Sequence, residues 1–357
     1  MVKDRASRVR DLLDRCELDA MIFLDLANIR YLCGFTGTDG VLLVTADRSW
    51  FLTDSRYTTQ AHRQVAADEI REYRIKLDGL IGGLRELGAA KVGFEADFVP
   101  FATVQKLQSG APDIAWHPLG AELKPLRGTK DEEELATLAE ATRLNAIAFA
   151  EILPQIRPGV TEREIALALE FALKRQGGEN LAFDFIVASG SRGAMPHGVA
   201  SDKLLAAGEL VTIDFGVRYR GYHSDETVTV AIREVPSKLR EIYSIVLEAH
   251  DRAIDAVRPG ISLADIDAVA RDYIAVQGYG DYFGHGLGHG VGLEVHEYPT
   301  VSARGEAVAE VGMVFTIEPG IYIPDLAGVR IEDMVTVTAD GCRLLTRLPK
   351  GFQSLSV

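Results

Sequence analysis

The chain has 357 residues, 47% hydrophobic and 25% charged, which is the composition of an ordinary globular protein long enough for two domains. Its net charge of −14, from 38 basic and 52 acidic residues, argues against nucleic acid as a partner, because nucleic-acid-binding surfaces are basic. No apolar run approaches the roughly 20 residues of a membrane-spanning helix, and the charged N-terminus lacks the apolar core of a signal peptide, so we expect no membrane partner and a cytoplasmic location.

The first third of the chain alternates helical and strand patterns. This alternation predicts an α/β layer domain. The predicted elements are a helix over 3–15, strands at 19–25, 40–46 and 49–54, a helix over 58–67, and strands near 70 and 91.

A domain boundary is predicted near residue 127. Pro125 and Gly128 interrupt regular structure, and Thr129 with Glu132 forms a capping box before a helical pattern. The predicted domains are therefore residues 1–126 and 127–357.

Three widely spaced cysteines, Cys16, Cys33 and Cys342, include no CxxC pair. Their odd number and spacing indicate neither a disulfide framework nor a thiolate metal site. We expect them to be buried as small hydrophobic side chains.

An internal repeat organises the second domain. The segment "RPGVTEREI" at 157–165 returns as "RPGISLADI" at 258–266. Both copies place a hydroxyl residue, Thr161 or Ser262, at a helix N-cap with an acidic residue three positions later. The repeat predicts two related halves.

The repeat also aligns acidic residues that lie in otherwise apolar strands. "LVTIDFG" corresponds to "VFTIEPG", which pairs Asp214 with Glu318, and "SDETVTV" corresponds to "IEDMVTV", which pairs Asp225 with Glu332. Solvated strand edges are the alternative for each acid alone, but four at related positions indicate a shared site. Because four buried anions repel one another, we expect two divalent ions between them.

Three of the eight histidines lie in "GHGLGHGVGLEVHE", residues 284–297. His285 and His289 share one face of an extended strand, since side chains alternate. His296 has the opposite parity and reaches that face only through a bend or bulge, which the glycines permit. The isolated histidines His62, His117 and His250 are interpreted as ordinary core or surface residues.

Together with "VTIDFG", "HSDETVTV", "TIEPGIY" and "GVRIEDMV", this stretch closely resembles the pita-bread-fold metallopeptidases, which include aminopeptidase P, prolidase, methionine aminopeptidase and creatinase. "NIRYLCGFTG" and "FLTDSRY" resemble the creatinase-type N-terminal domain of the same enzymes. The resemblance implies an α/β protein with a creatinase-like N-terminal domain and a pseudo-symmetric α+β pita-bread catalytic domain.

The resemblance also implies roles for individual residues. Asp214 would bind one metal, His289 and Glu318 the other, and Asp225 and Glu332 would bridge the two. Glu318 would transfer the proton, Arg330 would orient the carboxylates, and non-ligand histidines would surround the substrate: His197, His285 and His296. Oxygen ligands with one imidazole suit Mn²⁺, Co²⁺ or Zn²⁺ better than Ca²⁺, and we expect Mn²⁺, with Co²⁺ or Zn²⁺ as alternatives.

The implied substrates are short peptides with proline second. Dipeptide-specific prolidases of this kind carry an arginine where Thr300 stands, so we expect aminopeptidase P activity, with Xaa-Pro dipeptidase as the alternative and a non-catalytic binding protein less favoured. Val228 replaces an arginine of many relatives, which implies the loss of a substrate contact, and His223 has no assigned role. The resemblance implies a homodimer in which residues 34–40 reach the neighbouring active site.

Overall fold

A six-stranded mixed sheet forms the centre of Met1–Arg127, the first of two units into which the chain divides; the second is Gly128–Val357. The structure, a computed structural model, describes residues 3–356. The elements of the first unit are α1 Lys3–Arg15, β1 Ala20–Phe23, α2 Leu26–Cys33, β2 Val41–Thr45, β3 Ser49–Thr53, α3 Thr58–Gln64, β4 Glu69–Glu72, α4 Lys76–Glu86, β5 Lys91–Glu95, α5 Phe101–Gly110 and β6 Ala115–Leu119.

The strand order β4-β3-β2-β1-β5-β6 combines antiparallel and parallel pairs. β1 runs antiparallel to β2 and parallel to β5, and every residue of β1, β2 and β3 is buried. Continuous apolar runs fit this position because both faces of the central strands are covered. The expected α/β layer is confirmed.

The second unit contains two helix pairs and several small sheets. Its helices are α6 Glu132–Ile152, α7 Glu162–Arg175, α8 Ser237–Ala256 and α9 Leu263–Val276. Its strands are β7 Asn180–Leu181, β8 Ile186–Ser189, β9 Leu210–Phe215, β10 Val217–Tyr219, β11 Tyr222–His223, β12 Glu226–Ile232, β13 Gly288–Gly290, β14 Glu297–Val301, β15 Val314–Ile317, β16 Gly320–Ile323, β17 Ala327–Arg330, β18 Asp333–Val337, β19 Cys342–Leu344 and β20 Ser354–Leu355. Short 3₁₀ turns occur at Lys124–Arg127, Leu153–Gln155, Gly190–Ala194 and Gly280–Tyr282.

The two halves of this unit repeat one arrangement. In the first half α6 packs on α7 beside the sheet β20-β12-β9-β8, and in the second α8 packs on α9 beside β14-β13-β15-β18-β19. The N-caps are held alike, since Thr161 bridges to Leu204 and Ser262 bridges to Val308. The pseudo-symmetric fold expected from the repeat is confirmed.

Two capping assignments differ from the sequence interpretation. The capping box before α6 is formed by Asp131 and Glu134, not by Thr129 and Glu132, because Thr129 is occupied in a backbone bridge to Met313. At α9 the Ser262 hydroxyl accepts from Ala264 N, one residue earlier than a box with Asp265 requires.

The expected burial of the three cysteines is met only in part. All three cysteines are free thiols; Cys33 is buried, whereas Cys16 and Cys342 are only half-buried, so burial was predicted correctly for one of them.

No helix in the described part of the chain has the combined length and apolar character that crossing a bilayer requires.

Candidate metal centre and substrate cavity

Four carboxylates converge where the sheets of the two halves meet. β9 and β12 pair with Asp214 opposite Thr227, so Asp225, two residues before Thr227, lies diagonally across on the same face. β15 and β18 pair with Ile317 opposite Asp333, and the adjacent residues Glu318 and Glu332 therefore end the two strands side by side. Hydrogen bonds join the halves, because Glu332 N donates to Thr227 O at 3.2 Å.

His289 completes the group from β13. Its Nε2 lies 3.3 Å from Glu318 Oε1 and 3.6 Å from Asp225 Oδ2. Asp225, His289 and Glu332 each offer one potential ligand atom, and these atoms all lie within 4.8 Å of one another. Thr316 fixes the geometry, since its hydroxyl accepts from His289 N at 3.1 Å and donates to Glu318 Oε1 at 3.1 Å.

Burial and mutual repulsion make this group of carboxylates a favourable site for a cation. Burial raises the pKa of Asp225 well above its usual value, and the carboxylates of Glu332 and Asp214 raise it further. Burial likewise raises the pKa of Glu332 well above its usual value, with Glu318 and Asp214 adding to the rise. Burial lowers the pKa of His289, so its imidazole is neutral and can act as a ligand.

Two buried carboxylate oxygens without hydrogen-bond partners in the described residues also indicate a cation site. Oδ1 of Asp214 and Oδ1 of Asp225 are buried, and within the described residues neither has a hydrogen-bond partner. Buried carboxylate oxygens are satisfied by hydrogen bonds or by metals. Four carboxylates and one neutral imidazole therefore fit divalent cations of the Mn²⁺, Co²⁺ and Zn²⁺ type.

Arg330 connects the carboxylates to the histidine segments. It is 3% exposed, and its Nη2 donates to Asp214 Oδ2 at 2.6 Å. Its Nε donates at 3.2 Å to the Thr227 hydroxyl, which itself donates to Glu332 Oε2 at 2.6 Å. Its Nη1 donates to Pro196 O, next to His197, at 3.0 Å. One guanidinium thus contacts parts of both halves.

Tyr322 extends this network and was not singled out in the sequence. Its hydroxyl lies 3.0 Å from Arg330 Nη1 and 2.9 Å from His285 Nε2. Burial lowers the pKa of His285, which favours a neutral ring hydrogen-bonded to this hydroxyl. The signal available in the sequence was the tyrosine four residues after Glu318 within "TIEPGIY".

His296 reaches the site as the parity argument required. The chain bends over residues 292–296, between β13 and β14, and the pairing of these two strands is irregular between His289 and Gly290. The rings of His289 and His296 consequently lie 4.0 Å apart.

A cavity of about 470 Å³ opens in front of this group. All nine sequence-predicted site residues line it: Asp214, Asp225, His289, Glu318, Glu332, His197, His285, His296 and Arg330. Thr300 also lines it and is exposed. Sequence reasoning missed the apolar side of the wall, which is formed by Phe183, Ile186, Pro196 and Val199.

Two other residues lie away from the cavity wall. Val228 is 5% exposed and packs in the core on the opposite face of β12 from Thr227, so its replacement of an arginine alters the core and not the wall. His223 contacts backbone instead of the cavity, and its N donates to Gly292 O at 2.7 Å.

Comparison with known proteins identifies the family. Residues 136–339 match metallopeptidase family M24, and residues 5–128 match the creatinase/prolidase N-terminal domain. The chain belongs to metallopeptidase family M24. As an M24 enzyme it is a metal-dependent peptidase that combines a creatinase-type N-terminal domain with a pita-bread domain, as the sequence motifs indicated.

Solved M24 structures resemble the whole chain. A Xaa-Pro dipeptidase from Bacillus anthracis is 42% identical, with a TM-score of 0.96 and coverage of 99% of both chains. An X-Pro aminopeptidase from Thermotoga maritima is 38% identical, with a TM-score of 0.88 over 96% of this chain and 99% of its own. A prolidase from Pyrococcus horikoshii is 36% identical, with a TM-score of 0.93 over 98% of this chain and 100% of its own.

Proposed function

We propose that this peptidase hydrolyses the Xaa-Pro bond at the N-terminus of short peptides and accepts a residue after the proline, which is aminopeptidase P activity. The observation that carries the proposal is the cavity wall, where proton-transfer and ligand groups face apolar side chains that suit a proline ring. At position 300 an exposed threonine stands where the resemblance implies an arginine that would hold a dipeptide's carboxylate.

Xaa-Pro dipeptidase activity is the second candidate. It is favoured by similar proteins that carry this name, including those from Bacillus anthracis and Pyrococcus furiosus. A non-catalytic binding protein is disfavoured, because every position proposed as a ligand holds a metal-binding side chain.

We propose that the site holds two divalent ions per subunit, Mn²⁺ foremost, with Asp214 on one, His289 and Glu318 on the other, and Asp225 and Glu332 shared. Ions in such a site lower the pKa of water and polarise a carbonyl. The crowded carboxylates and their two unpartnered oxygens support this assignment.

The protein's own groups perform the remaining steps. Glu318 takes the proton from the attacking water and delivers it to the proline nitrogen, which must be protonated to leave. Burial raises the pKa of Glu318, which makes its carboxylate a stronger base toward the attacking water. His197, His285 and His296 donate hydrogen bonds to the peptide and to the developing oxyanion, while Arg330 keeps the carboxylates oriented.

We further propose a cytoplasmic homodimer, in which residues 34–40 contribute to the neighbouring subunit's site. Three free thiols suit a reducing compartment. Sedimentation equilibrium measures the mass directly, and a monomer at all protein concentrations would contradict the dimer.

The deciding experiment compares Ala-Pro with Ala-Pro-Ala by mass spectrometry, using metal-stripped protein resupplied with Mn²⁺ and a Glu318→Ala control. Cleavage of the tripeptide supports the aminopeptidase, and cleavage of the dipeptide alone supports the alternative. A Thr300→Arg variant sharpens the comparison, since the added cation should shift preference toward Ala-Pro. Failure to cleave either peptide would refute the proposed substrate class.

A further inference from the structure

The glycine-rich segment over residues 283–287, just before β13, belongs to no strand of the described chain, although it carries His285. Glycines give it great conformational freedom in the unfolded chain, and its backbone groups need hydrogen-bond partners when buried. Something outside the segment must therefore fix its path.

A single ion pair on α9 supplies those partners. Asp267 is fully buried, and Arg271, one turn later, donates to both of its oxygens, from Nε at 2.7 Å and from Nη2 at 2.8 Å. The same guanidinium donates to Phe283 O at 3.1 Å and to His285 O at 2.7 Å. Asp267 Oδ1 accepts from Leu287 N at 3.0 Å.

These hydrogen bonds hold every second residue of the segment: Phe283, His285 and Leu287. Side-chain contacts link the first two of these residues to Arg271 and to each other. Arg271 lies 4.3 Å above the Phe283 ring, and that ring packs edge-on against His285 at 5.0 Å. The held residue Leu287 also receives Glu318 N on its carbonyl at 2.8 Å. The path from α9 to the proton-transfer groups is thus short and continuous.

We propose that Asp267 and Arg271 form a positioning clamp that sets His285 against Tyr322 and the substrate. Arg271 is not part of the cavity wall, and its hydrogen bonds reach that wall through the backbone of this segment, so it acts through His285 and not on substrate. Its kinetic consequences rest on the function proposed above, whereas the clamp itself does not.

The other half of the unit holds its histidine segment in a comparable way. Glu162 on α7 is fully buried and accepts from Ser189 N at 2.8 Å and Ser201 N at 3.1 Å. It also pairs with Arg192, whose Nη2 donates to Val199 O at 2.8 Å. The bonds at Ser189, Val199 and Ser201 flank His197. A buried carboxylate on a corresponding helix, joined to an arginine, therefore fixes a catalytic segment in each half.

The first test needs no activity. Hydrogen exchange of the metal-free protein is compared between wild type, Arg271→Met and Arg252→Met. Arg252 is the matched control, since it also pairs with an acidic residue one turn earlier, Glu248, and stacks on a ring, Tyr273, away from this segment. We expect at least tenfold faster exchange of amides 283–290 in Arg271→Met only. Unchanged exchange there would overturn the clamp.

The second test separates positioning from general stability. Arg271→Met should lower kcat by about 10- to 100-fold, as small misplacements of catalytic groups do, with KM changed less than about threefold. Arg271→Lys keeps a cation beside Asp267 but lacks the planar fork that reaches both carbonyls, so it should fold and still lose part of kcat.

A double-mutant cycle identifies the target. If the clamp acts through His285, Arg271→Met should cost less than about threefold in kcat in a His285→Ala background. An equal loss in both backgrounds would show a merely structural role. Inactive wild type would contradict the proposed function, while the exchange comparison would still decide on the clamp.

Discussion

At the scale of single residues, the centre is defined by repulsion that the polypeptide does not relieve. Asp225 and Glu332 are 4% and 1% exposed, and each faces other carboxylates. Arg330 offsets the charge of Asp214 but does not reach every oxygen. The fold thus gathers buried carboxyl groups whose repulsion the proposed cations would offset.

Substitution of Glu332 by glutamine tests this balance. Glu332→Gln, like Asp225→Asn, should abolish peptide hydrolysis and lower the bound metal, because an amide is a poor ligand for the two ions. The same change should raise the free energy of unfolding of metal-free protein at neutral pH, because one buried anion is removed. Urea unfolding with chelator measures the stability of the metal-free protein, and unfolding without chelator measures how much bound metal stabilises it. Normal turnover in both variants would sink the proposed mechanism.

At the scale of elements, strand alternation places a second charged cluster behind the proposed metal ligands. Glu226 and Asp333 directly follow Asp225 and Glu332, and they point to the other face of their strands. Lys350 bridges them, with Nζ 2.7 Å from Glu226 Oε1 and 3.3 Å from Asp333 Oδ1. This lysine therefore joins the strand ends that carry both proposed bridging ligands.

Removing the Lys350 cation should lower the free energy of unfolding more than removing the cation of an exposed ion pair does. We expect Lys350→Met to lower the free energy of unfolding by about 3 to 5 kcal/mol, since it leaves the buried Glu226 carboxylate without its cation, while Asp333 keeps His250 and Thr346, and to weaken metal binding. Lys174→Met, which breaks an exposed pair with Glu170 on α7, should cost less than about 1 kcal/mol. Equal losses in urea melts of the two variants would contradict the assigned role.

In the N-terminal unit, Glu95 introduces pH dependence. Its carboxylate accepts from Leu24 N at 2.6 Å, Asp25 N at 2.9 Å and Asn28 Nδ2 at 2.7 Å. Burial nevertheless raises the pKa of Glu95 to about 7 from an ordinary 4.5. The folded state therefore holds this proton more tightly than the unfolded state does.

Proton linkage sets the direction in which Glu95 changes the free energy of unfolding with pH. The stability that Glu95 contributes is fully present below pH 4.5 and is lost as the pH rises through about 7, the folded pKa. Relative to wild type, Glu95→Gln should gain about 2.5 kcal/mol between pH 5 and pH 8. Asp47→Asn, at the exposed surface of the same unit, is the control. A wild-type and Glu95→Gln difference that stays constant with pH would contradict the shift.

At the scale of the whole molecule, the sequence revealed what repeats and what alternates. The repeat aligned the acidic pairs along the chain, and the period of two indicated that His296 needs a bend or bulge to reach the other two histidines. Neither pattern revealed Tyr322, Thr316 or Lys350, because their partners come from distant segments and no local period marks them. The sequence also did not reveal the apolar wall at Phe183, since an isolated apolar residue is indistinguishable from a core residue in the sequence.

The number of ions is a property of the whole folded chain, and linkage measures it without activity. A ligand that binds only the folded state adds RT ln(1 + [L]/Kd) to its stability. Well above Kd, each tenfold rise in free Mn²⁺ therefore adds about 1.4 kcal/mol per ion, and two ions add about 2.7 kcal/mol. We expect the two-ion slope for wild type in urea titrations at buffered Mn²⁺. Glu332→Gln, which changes a ligand that we propose to be shared by both ions, should show a shallower slope. A wild-type slope of one ion would contradict the paired site and leave Asp214 and Arg330 as a separate ion pair.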